Sequence, residues 1–524
     1  MLTFEASDAS GPRKGDPPSL DGLSLGAGRG ESKCAGFIAT VAESNFTDQP
    51  DRKVTFDSLP DDVLLHIFYF YVNRTPEGYA WHKLDIWHTL VHVCQRWRYV
   101  VFASPKRLNL RLLCHHARLA KNLLDVWPSY LPIVISGNAL LRTRSGLEGV
   151  KIILAALKSR DRITTIDFEG VPGLLWKPVF AMTEPFPVLT NLRLHLWHED
   201  IQPLPDSFLG GSCPRLQELH LNGIPFPGLG NLLLSTSDLI DLRLENIPHS
   251  GYIAPEAMIT NLFVLTKLES FVLAFQSPRS LAEQPSRHSS TVTRVVLTAL
   301  TRFQYQGSSA YLEEIVSRID TPQLESFTIT FFDQLVLDTP HLRHFIDHTQ
   351  TFTGLNQADI IFNGQYSDIG VKLLLTDGPR SPDFGALTLG VQYTRSGPKF
   401  MSLVRLCSSS LPPLPTLKRI STRCQLSSRQ PLPMRTTEWV EFFRVFNFVE
   451  DLDLSRNSDL MYAILHALEE LVGERVMEAL PALQNIFVHK PWAPWESDYP
   501  MKVVEPFVAA RQLSGRPVAV HCLE

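Results

Sequence analysis

The chain has 524 residues, with 49 Lys and Arg against 54 Asp and Glu, and a formal net charge of −5. This balance argues against a dominant surface for nucleic acid or anionic membrane. No run approaches the ~18 uninterrupted apolar residues of a membrane-spanning helix, and the N-terminus lacks the charged-then-apolar order of a signal peptide. The seven cysteines are scattered along the chain. We therefore expect reduced thiols in a protein of the cytoplasm, the nucleus or both.

The N-terminal segment of residues 1–52 is rich in Gly, Ser, Asp and Pro, which predicts a disordered tail. A first helix is predicted to follow, capped by Asp57 or Ser58 and carrying Pro60 in its first turn, where the missing N–H is not needed. Asp61 and Asp62 suit the positive end of the helix dipole. Apolar side chains then recur at helical spacing, at Val63, Leu64, Ile67, Phe68 and Tyr71.

A second helix is predicted over residues 81–102, because the Asn, Pro and Gly of residues 73–78 end the first one. Its apolar positions are again spaced by three and four, at Leu84, Trp87, Leu90, Val91, Cys94, Trp97 and Val101. Two short amphipathic helices need a third element or a partner to bury both stripes. The plainer interpretation is that they form the core of a small helical cap.

Residues 56–105 read FDSLPDDVLLHIFYFYVNRTPEGYAWHKLDIWHTLVHVCQRWRYVVFASP. The Leu-Pro pair, the Ile-Phe pair and the Val-Cys-x-x-Trp ending occur in the order of an F-box, which this segment resembles. The continuation SPKRLNLRLLCHHARL is similar to F-box proteins abundant in mushroom-forming fungi. The resemblance implies docking on a Skp-family linker protein and, through it, a cullin. The motif assigns this docking to Leu59, Pro60, Val63, Ile67, Phe68, Trp87, Leu90, Val93, Cys94 and Trp97.

The link between the two predicted helices, residues 73–83, departs from the motif because it is longer and more polar than in a compact F-box. We assign the F-box and a helical linker to residues 53–145. The remaining segment, residues 146–524, has a different character, since it is built from a repeat.

The repeat consists of twelve L-x-x-L-x-L-like units whose starts lie 23 to 34 residues apart. They begin at residues 163, 189, 216, 239, 268, 300, 324, 355, 384, 417, 449 and 483. The units at 355, 384 and 417 are weak. A period of this size predicts a solenoid of strand-plus-helix turns, hence an α/β fold. The units resemble the irregular leucine-rich repeats that follow F-boxes, and the last residues are expected to cap the array.

Within each unit, the fourth and sixth positions are apolar and predict the buried side of a strand. The third, fifth and seventh positions should then lie together on a concave face, the expected site for a protein substrate. In the units at 189, 216 and 239 they are Asn191, Arg193 and His195, then Glu218, His220 and Asn222, then Asp241, Arg243 and Glu245. A cluster of Asp451, Asp453 and Arg456 lies on the same predicted face of a later unit, where a solvated surface is the plainer interpretation.

The motifs of common enzymes are missing from the sequence. It has no G-x-x-x-x-G-K-[ST] phosphate loop, and its G-x-S-x-G match at residues 22–26 lies in the predicted disordered tail rather than between a strand and a helix. His88 and His92 share a helical face, but Thr89 stands where a zinc protease needs its Glu, so we expect no metal and no cofactor. His198, Glu199 and Asp200 follow a repeat strand without a recognisable nucleophile, which favours a polar turn.

Three functions remain open at this point. The leading hypothesis is a non-enzymatic substrate adaptor of an SCF-type ubiquitin ligase. The second is an F-box scaffold that works outside any ligase, and the third is an enzyme with an unfamiliar site in the repeat region. The sequence does not identify the substrate.

Overall fold

The computed structural model describes residues 56–73, 87–115, 127–138, 153–169, 176–195, 202–277, 294–332, 339–365, 368–378, 386–392, 400–425, 435–454, 456–489 and 499–523. The chain divides into two compact units between Pro60 and Asp61. In the first unit the described residues form the 3-10 turn Phe56–Ser58, followed by a half-buried Leu59 and an exposed Pro60. The predicted disordered tail, residues 1–52, lies outside the described residues.

The second unit opens with three helices, α1 Asp61–Asn73, α2 Trp87–Val91 and α3 Gln95–Ala103. The first predicted helix is confirmed by α1, whose first turn carries Asp61 and Asp62. Its predicted start is wrong, because Pro60 precedes the helix and Asp57 and Ser58 belong to the 3-10 turn. The prediction of one unbroken second helix is wrong, because the backbone becomes extended at Cys94 and divides it into α2 and α3. The Cys94 Sγ accepts a hydrogen bond from the Trp97 backbone N–H at 3.4 Å and so caps α3.

A sixteen-stranded sheet forms the body of the second unit, and a two-stranded sheet of β8 and β10 lies apart from it. The strands are β1 Leu112–His115, β2 Ile133–Asn138, β3 Ile163–Glu169, β4 Asn191–His195, β5 Glu218–Asn222, β6 Asp241–Ile247, β7 Ser270–Phe275, β8 Val295–Val296, β9 Arg302–Gly307, β10 Ile319–Asp320, β11 Ser326–Phe332, β12 Gln357–Gln365, β13 Asp368–Thr376, β14 Leu387–Gln392, β15 Arg419–Gln425, β16 Asp451–Leu454, β17 Asn485–His489 and β18 Ala519–Leu523.

The L-x-x-L-x-L-like motif of each of the twelve predicted repeat units overlaps a strand of the large sheet, including the weak motifs at 355, 384 and 417. The sheet begins earlier than predicted, however. Strands β1 and β2 fall within residues 53–145, which we expected to be helical, and they pair in parallel with each other and with β3. Residue 145 is therefore not the point at which the sheet starts.

The register of the parallel strands places the predicted apolar positions side by side. Leu192 pairs with Leu219, which pairs with Leu242, and all three are buried. Further along the sheet, Phe271, Phe303 and Phe327 occupy the same position and stack with ring centroids 5.2 and 4.9 Å apart. Burying these rows removes apolar surface from water, which is the main stabilising term of the sheet.

The remaining described helices connect the strands. They are α4 Trp176–Phe180, α5 Leu229–Leu234, α6 Pro255–Val264, α7 Ser309–Arg318, α8 Pro340–His348, α9 Phe400–Ser410, α10 Thr436–Phe443, α11 Ser458–Glu469 and α12 Tyr499–Leu513. Each helix from α5 to α11 contacts the next one along the chain. They cover the face of the sheet that carries the fourth and sixth positions. For example, the ring of Phe327 packs against the ring of Phe345 in α8, with centroids 5.6 Å apart. The other face, which we call the open face, carries the third, fifth and seventh positions.

One segment breaks the regular order of a strand-by-strand solenoid. Strand β11 pairs with β14 rather than β12, and β12 pairs with β15. Between them lies β13, which is antiparallel to both β12 and β14. The result is a mixed α/β fold whose large sheet is mainly parallel, with one antiparallel strand inside it.

Candidate functional site

The apolar side chains of α1 divide into two sides. Leu64, Leu65 and Phe68 are buried and form the side of α1 that faces the helical core. Val63 and Ile67 are 42% and 40% exposed, and Phe70 is 66% exposed. At 100° per residue the last three lie within an arc of about 60°, on a different side of the helix from the buried residues. Exposed apolar side chains on one side of a helix form a candidate interaction surface, and we call Val63, Ile67 and Phe70 the α1 stripe.

The residues predicted to dock on a linker protein separate into an exposed, a half-buried and a buried group. The exposed group is Pro60, Val63, Ile67, Val93 and Cys94. Leu59 is half-buried and Trp97 is half-buried against Phe68, with ring centroids 4.7 Å apart.

Phe68, Trp87 and Leu90 are the buried group, so their assignment as docking contacts is revised to core packing. The reason is that α1, α2 and α3 bury their stripes against each other. The Trp87 indole N–H also donates to the Arg111 carbonyl at 3.1 Å, which ties α2 to the residue before β1. Phe70, by contrast, was not predicted. Its position seven residues after Val63, two helical turns along the same side, would have identified it.

The nine residues predicted for substrate binding lie together on the open face. The register aligns them in three rows across β4, β5 and β6. The rows are Asn191, Glu218 and Asp241; Arg193, His220 and Arg243; and His195, Asn222 and Glu245. The alternation of the sequence therefore correctly predicted which side chains meet.

The charged side chains of these rows are largely paired with each other, from one row to the next. Arg193 Nη2 lies 2.8 Å from Glu218 Oε2, and Arg243 Nη2 lies 2.9 Å from Asp241 Oδ2. The hydrogen bond and the charge of Asp241 raise the pKa of Arg243, the hydrogen bond more strongly. A partner that binds here must exchange existing ion pairs for its own, which favours specificity over raw affinity.

Glu245 is the centre of a second group on the same face. Its Oε2 lies 3.3 Å from His220 Nε2 and accepts a hydrogen bond from Asn222 Nδ2 at 3.1 Å. The neighbouring His220 ring lowers the pKa of Glu245 below its usual value, and the nearby charge of Arg243 adds to the effect. Asn246 Nδ2 donates to Asn222 Oδ1 at 2.9 Å and holds that amide in place.

A second polar group lies on the open face of the later strands. Arg419 and Arg423 come from β15, Asp451 and Asp453 from β16, and His489 from β17. Of these five residues, the sequence pattern had indicated only Asp451 and Asp453, together with the nearby Arg456. The same third, fifth and seventh positions of the units at 417, 449 and 483 would have identified the rest.

The features that raised enzymatic or metal chemistry have other roles or lie outside the described residues. His88 stacks on Trp127 with ring centroids 4.9 Å apart, while His92 lies beyond the end of α2. Among the described residues, no group of three or more His, Cys, Asp and Glu side chains is placed to hold a metal ion. His198, Glu199 and Asp200 fall outside the described ranges.

Two further observations complete the description of this site. No helix in the described part of the chain is long and apolar enough to cross a membrane. Comparison with protein-family models and with curated proteins gave no match.

Proposed function

We propose that the chain is the substrate-recognition adaptor of an SCF-type ubiquitin ligase. Residues 56–105 act as an F-box on a Skp-family linker, and the strand-plus-helix units act as irregular leucine-rich repeats that hold a protein substrate. The α1 stripe carries the proposal, because Val63, Ile67 and Phe70 are exposed within a segment whose sequence resembles an F-box. This assignment places the protein in the cytoplasm or the nucleus, where the ligase works.

Docking relies on the exposed members of the motif. Val63, Ile67 and Val93 offer apolar side chains that lose contact with water when a linker covers them. Large anchors at the centre of such an interface typically contribute about 2 kcal/mol or more each. Phe68 and Trp87 support docking indirectly, since they fix the positions of α1 and α2 from within the core.

The open face supports the second half of the proposal. It offers rows of polar side chains on rigid strands, a surface that recognises a partner by hydrogen bonds and matched charges. The adaptor contributes proximity: it raises the effective concentration of a substrate lysine near the ubiquitin carrier that the cullin holds. This role needs no catalytic residue from the chain itself.

Co-expression of the full chain with a Skp-family linker and a cullin tests this function. The proposal predicts one complex containing all three proteins on size-exclusion chromatography. Recovery of the linker without the cullin would favour the alternative, a ligase-independent F-box scaffold. A folded chain that binds neither protein would contradict both.

A further inference from the structure

A pocket of about 340 Å³ lies on the open face where β12, β15, β16 and β17 run side by side. It is far along the sheet from the rows of β4 to β6. Its polar lining includes Gln357, Arg419, Arg423, Asp453, Arg456 and His489. Three arginines therefore meet in one depression.

The register explains why these side chains converge. Gln357 pairs with Arg419, and Arg419 pairs with Asp451. Two residues further along, Asp359 pairs with Ser421 and Ser421 with Asp453. Because alternate residues of a strand share a face, all of these positions belong to the open face.

Two aspartates beside the pocket, Asp359 and Asp451, hold its arginines in place. The Asp359 side chain is only 4% exposed, and it accepts hydrogen bonds from Gln357, Ser421 and Arg423. A buried carboxylate is costly unless it is paired, so this contact holds the Arg423 side chain in one place. Asp451 has the same relation to Arg419, at 3.0 Å, and also accepts from Asn485 at 2.9 Å.

The guanidinium groups form the outer layer. The side chains of Arg419 and Arg423 are 48% and 40% exposed. A guanidinium has five N–H donors. The contacts with aspartate use Nε and Nη2 of Arg419 and Nη2 alone of Arg423. The remaining donors are oriented by the buried carboxylates, which lowers the entropy lost when they bind an anion.

We propose that this pocket binds an acidic peptide segment through a carboxylate or phosphate group. A planar guanidinium fork matches the oxygens of either group, and two forks in one pocket match a group with several acceptor oxygens. The Phe487 ring lies 5.8 Å from the Arg419 guanidinium and stacks on His521 at 5.0 Å, so it supports the Arg419 side chain from one face.

The other charges of the molecule favour a peptide over a nucleic acid. The chain carries a net charge of −5. A negatively charged chain repels a long polyanion such as a nucleic acid more strongly than it repels a short acidic segment. The inference deepens the proposed function by naming the chemistry of the substrate segment, and it rests on that function only for the consequence that the bound peptide is ubiquitinated.

Fluorescence anisotropy on the full chain tests the pocket. The probes are a fluorescein-labelled tetraglutamate peptide, its tetraglutamine counterpart, a peptide with two phosphoserines and a single-stranded RNA of random sequence. We expect binding of the tetraglutamate peptide, the phosphoserine peptide or both, and none of the tetraglutamine peptide. The two acidic probes distinguish a carboxylate from a phosphate ligand.

The variants make the test specific to the pocket. The double variant Arg419→Gln, Arg423→Gln should weaken acidic-peptide binding by about tenfold or more. Asp451→Asn should strengthen it, because the change removes a negative charge beside the bound anion and keeps a side-chain oxygen that can accept from Arg419. Lys418→Gln is the matched control: Lys418 precedes Arg419 and pairs with Glu450 of the next unit, but does not line the pocket. The affinity of the Lys418→Gln variant for the acidic peptides should match that of the wild type.

Three results would overturn the inference. They are unchanged binding in the folded double variant, an equal loss in Lys418→Gln, and RNA binding that depends on the same two arginines and exceeds peptide binding. Recovery of the Skp-family linker with each variant separates this inference from the proposed function. Linker binding without peptide binding rejects the pocket alone, and peptide binding without linker binding rejects the adaptor function alone.

Discussion

The indole of Trp97 lies against the ring of Phe68, with centroids 4.7 Å apart and planes inclined by 57°. This contact joins α3 to α1, and the Arg96 Nη2 to Asp61 Oδ1 ion pair at 2.7 Å joins the same two helices at the surface. Two residues of the F-box-like motif therefore hold the helical segment together. The side chains of the α1 stripe stay exposed beside this core.

Replacing Phe68 with alanine should loosen the helical segment. Removing a fully buried phenyl ring from a core costs about 3–5 kcal/mol, whereas Val63→Ala removes only an exposed side chain. Hydrogen exchange measured by mass spectrometry on peptides from residues 61–73 should be faster in Phe68→Ala and unchanged in Val63→Ala. Equal exchange in the two variants would mean that Phe68 is not a core residue.

Gly307 at the end of β9 should tolerate no side chain. A Cβ at this position would lie 2.8 Å from Tyr305 Cζ and 2.9 Å from Phe275 Cδ2. Tyr305 is buried and its hydroxyl donates to the Ser308 carbonyl at 2.8 Å, so the ring has little freedom to move.

We expect Gly307→Ala to lower the free energy of unfolding by about 1–3 kcal/mol, as overpacking does elsewhere. Gly354→Ala is the control, because a Cβ there meets nothing within 4 Å. Urea denaturation followed by circular dichroism measures both variants. A Gly307→Ala midpoint equal to that of Gly354→Ala would show that the Tyr305 ring yields.

The acid side of the stability profile should depend on Glu245. His220 lowers the pKa of this carboxyl in the folded state. A lowered carboxyl pKa stabilises the fold above the ordinary value of 4.5, and this contribution is lost as the pH falls below 4.5 through the folded-state pKa. Glu245→Gln should therefore lose less stability between pH 5 and pH 3 than the wild type.

The measurement is the urea midpoint at several pH values in that interval. Glu325→Gln, at an exposed turn before β11, removes one carboxylate at a different place and serves as the control. Parallel pH profiles for wild type and Glu245→Gln would show that the His220 contact contributes nothing to folding.

Local sequence pattern was sufficient to predict the strands and their faces. Leu192, Leu219 and Leu242 were identified as a buried row because a strand alternates its sides every residue, whatever lies beside it. The same rule correctly grouped Arg193 with His220 and Arg243 on the open face.

Non-local pairing was not predictable in the same way. Strand β13 carries no repeat motif, and its insertion between β12 and β14 leaves β11 paired with β14 and β12 paired with β15, which are not consecutive strands of the chain. The apolar stripes of the helical segment also did not reveal which side packs inward. Phe68 and Ile67 are adjacent and both apolar, yet only Phe68 is buried.

Cysteine reactivity should follow burial. Burial raises the pKa of the Cys213 thiol to about 12, so almost none of it is in the reactive thiolate form near neutral pH. Cys94 is exposed. In the native protein, iodoacetamide should modify Cys94 well before Cys213, as read by mass spectrometry of tryptic peptides, and urea should remove the difference. Early modification of native Cys213 would contradict the packing of Cys213 in the core.

The affinity of a purified Skp-family linker for the full chain tests the central claim most directly. The double variant Val63→Glu, Ile67→Glu places two charges in the α1 stripe, and Phe263→Glu places one on an exposed apolar position of α6 as the control. The proposed function predicts that calorimetry finds binding to the wild type and to Phe263→Glu, and at least about thirtyfold weaker binding to the folded double variant. Equal affinity of the linker for the double variant and the wild type would contradict it.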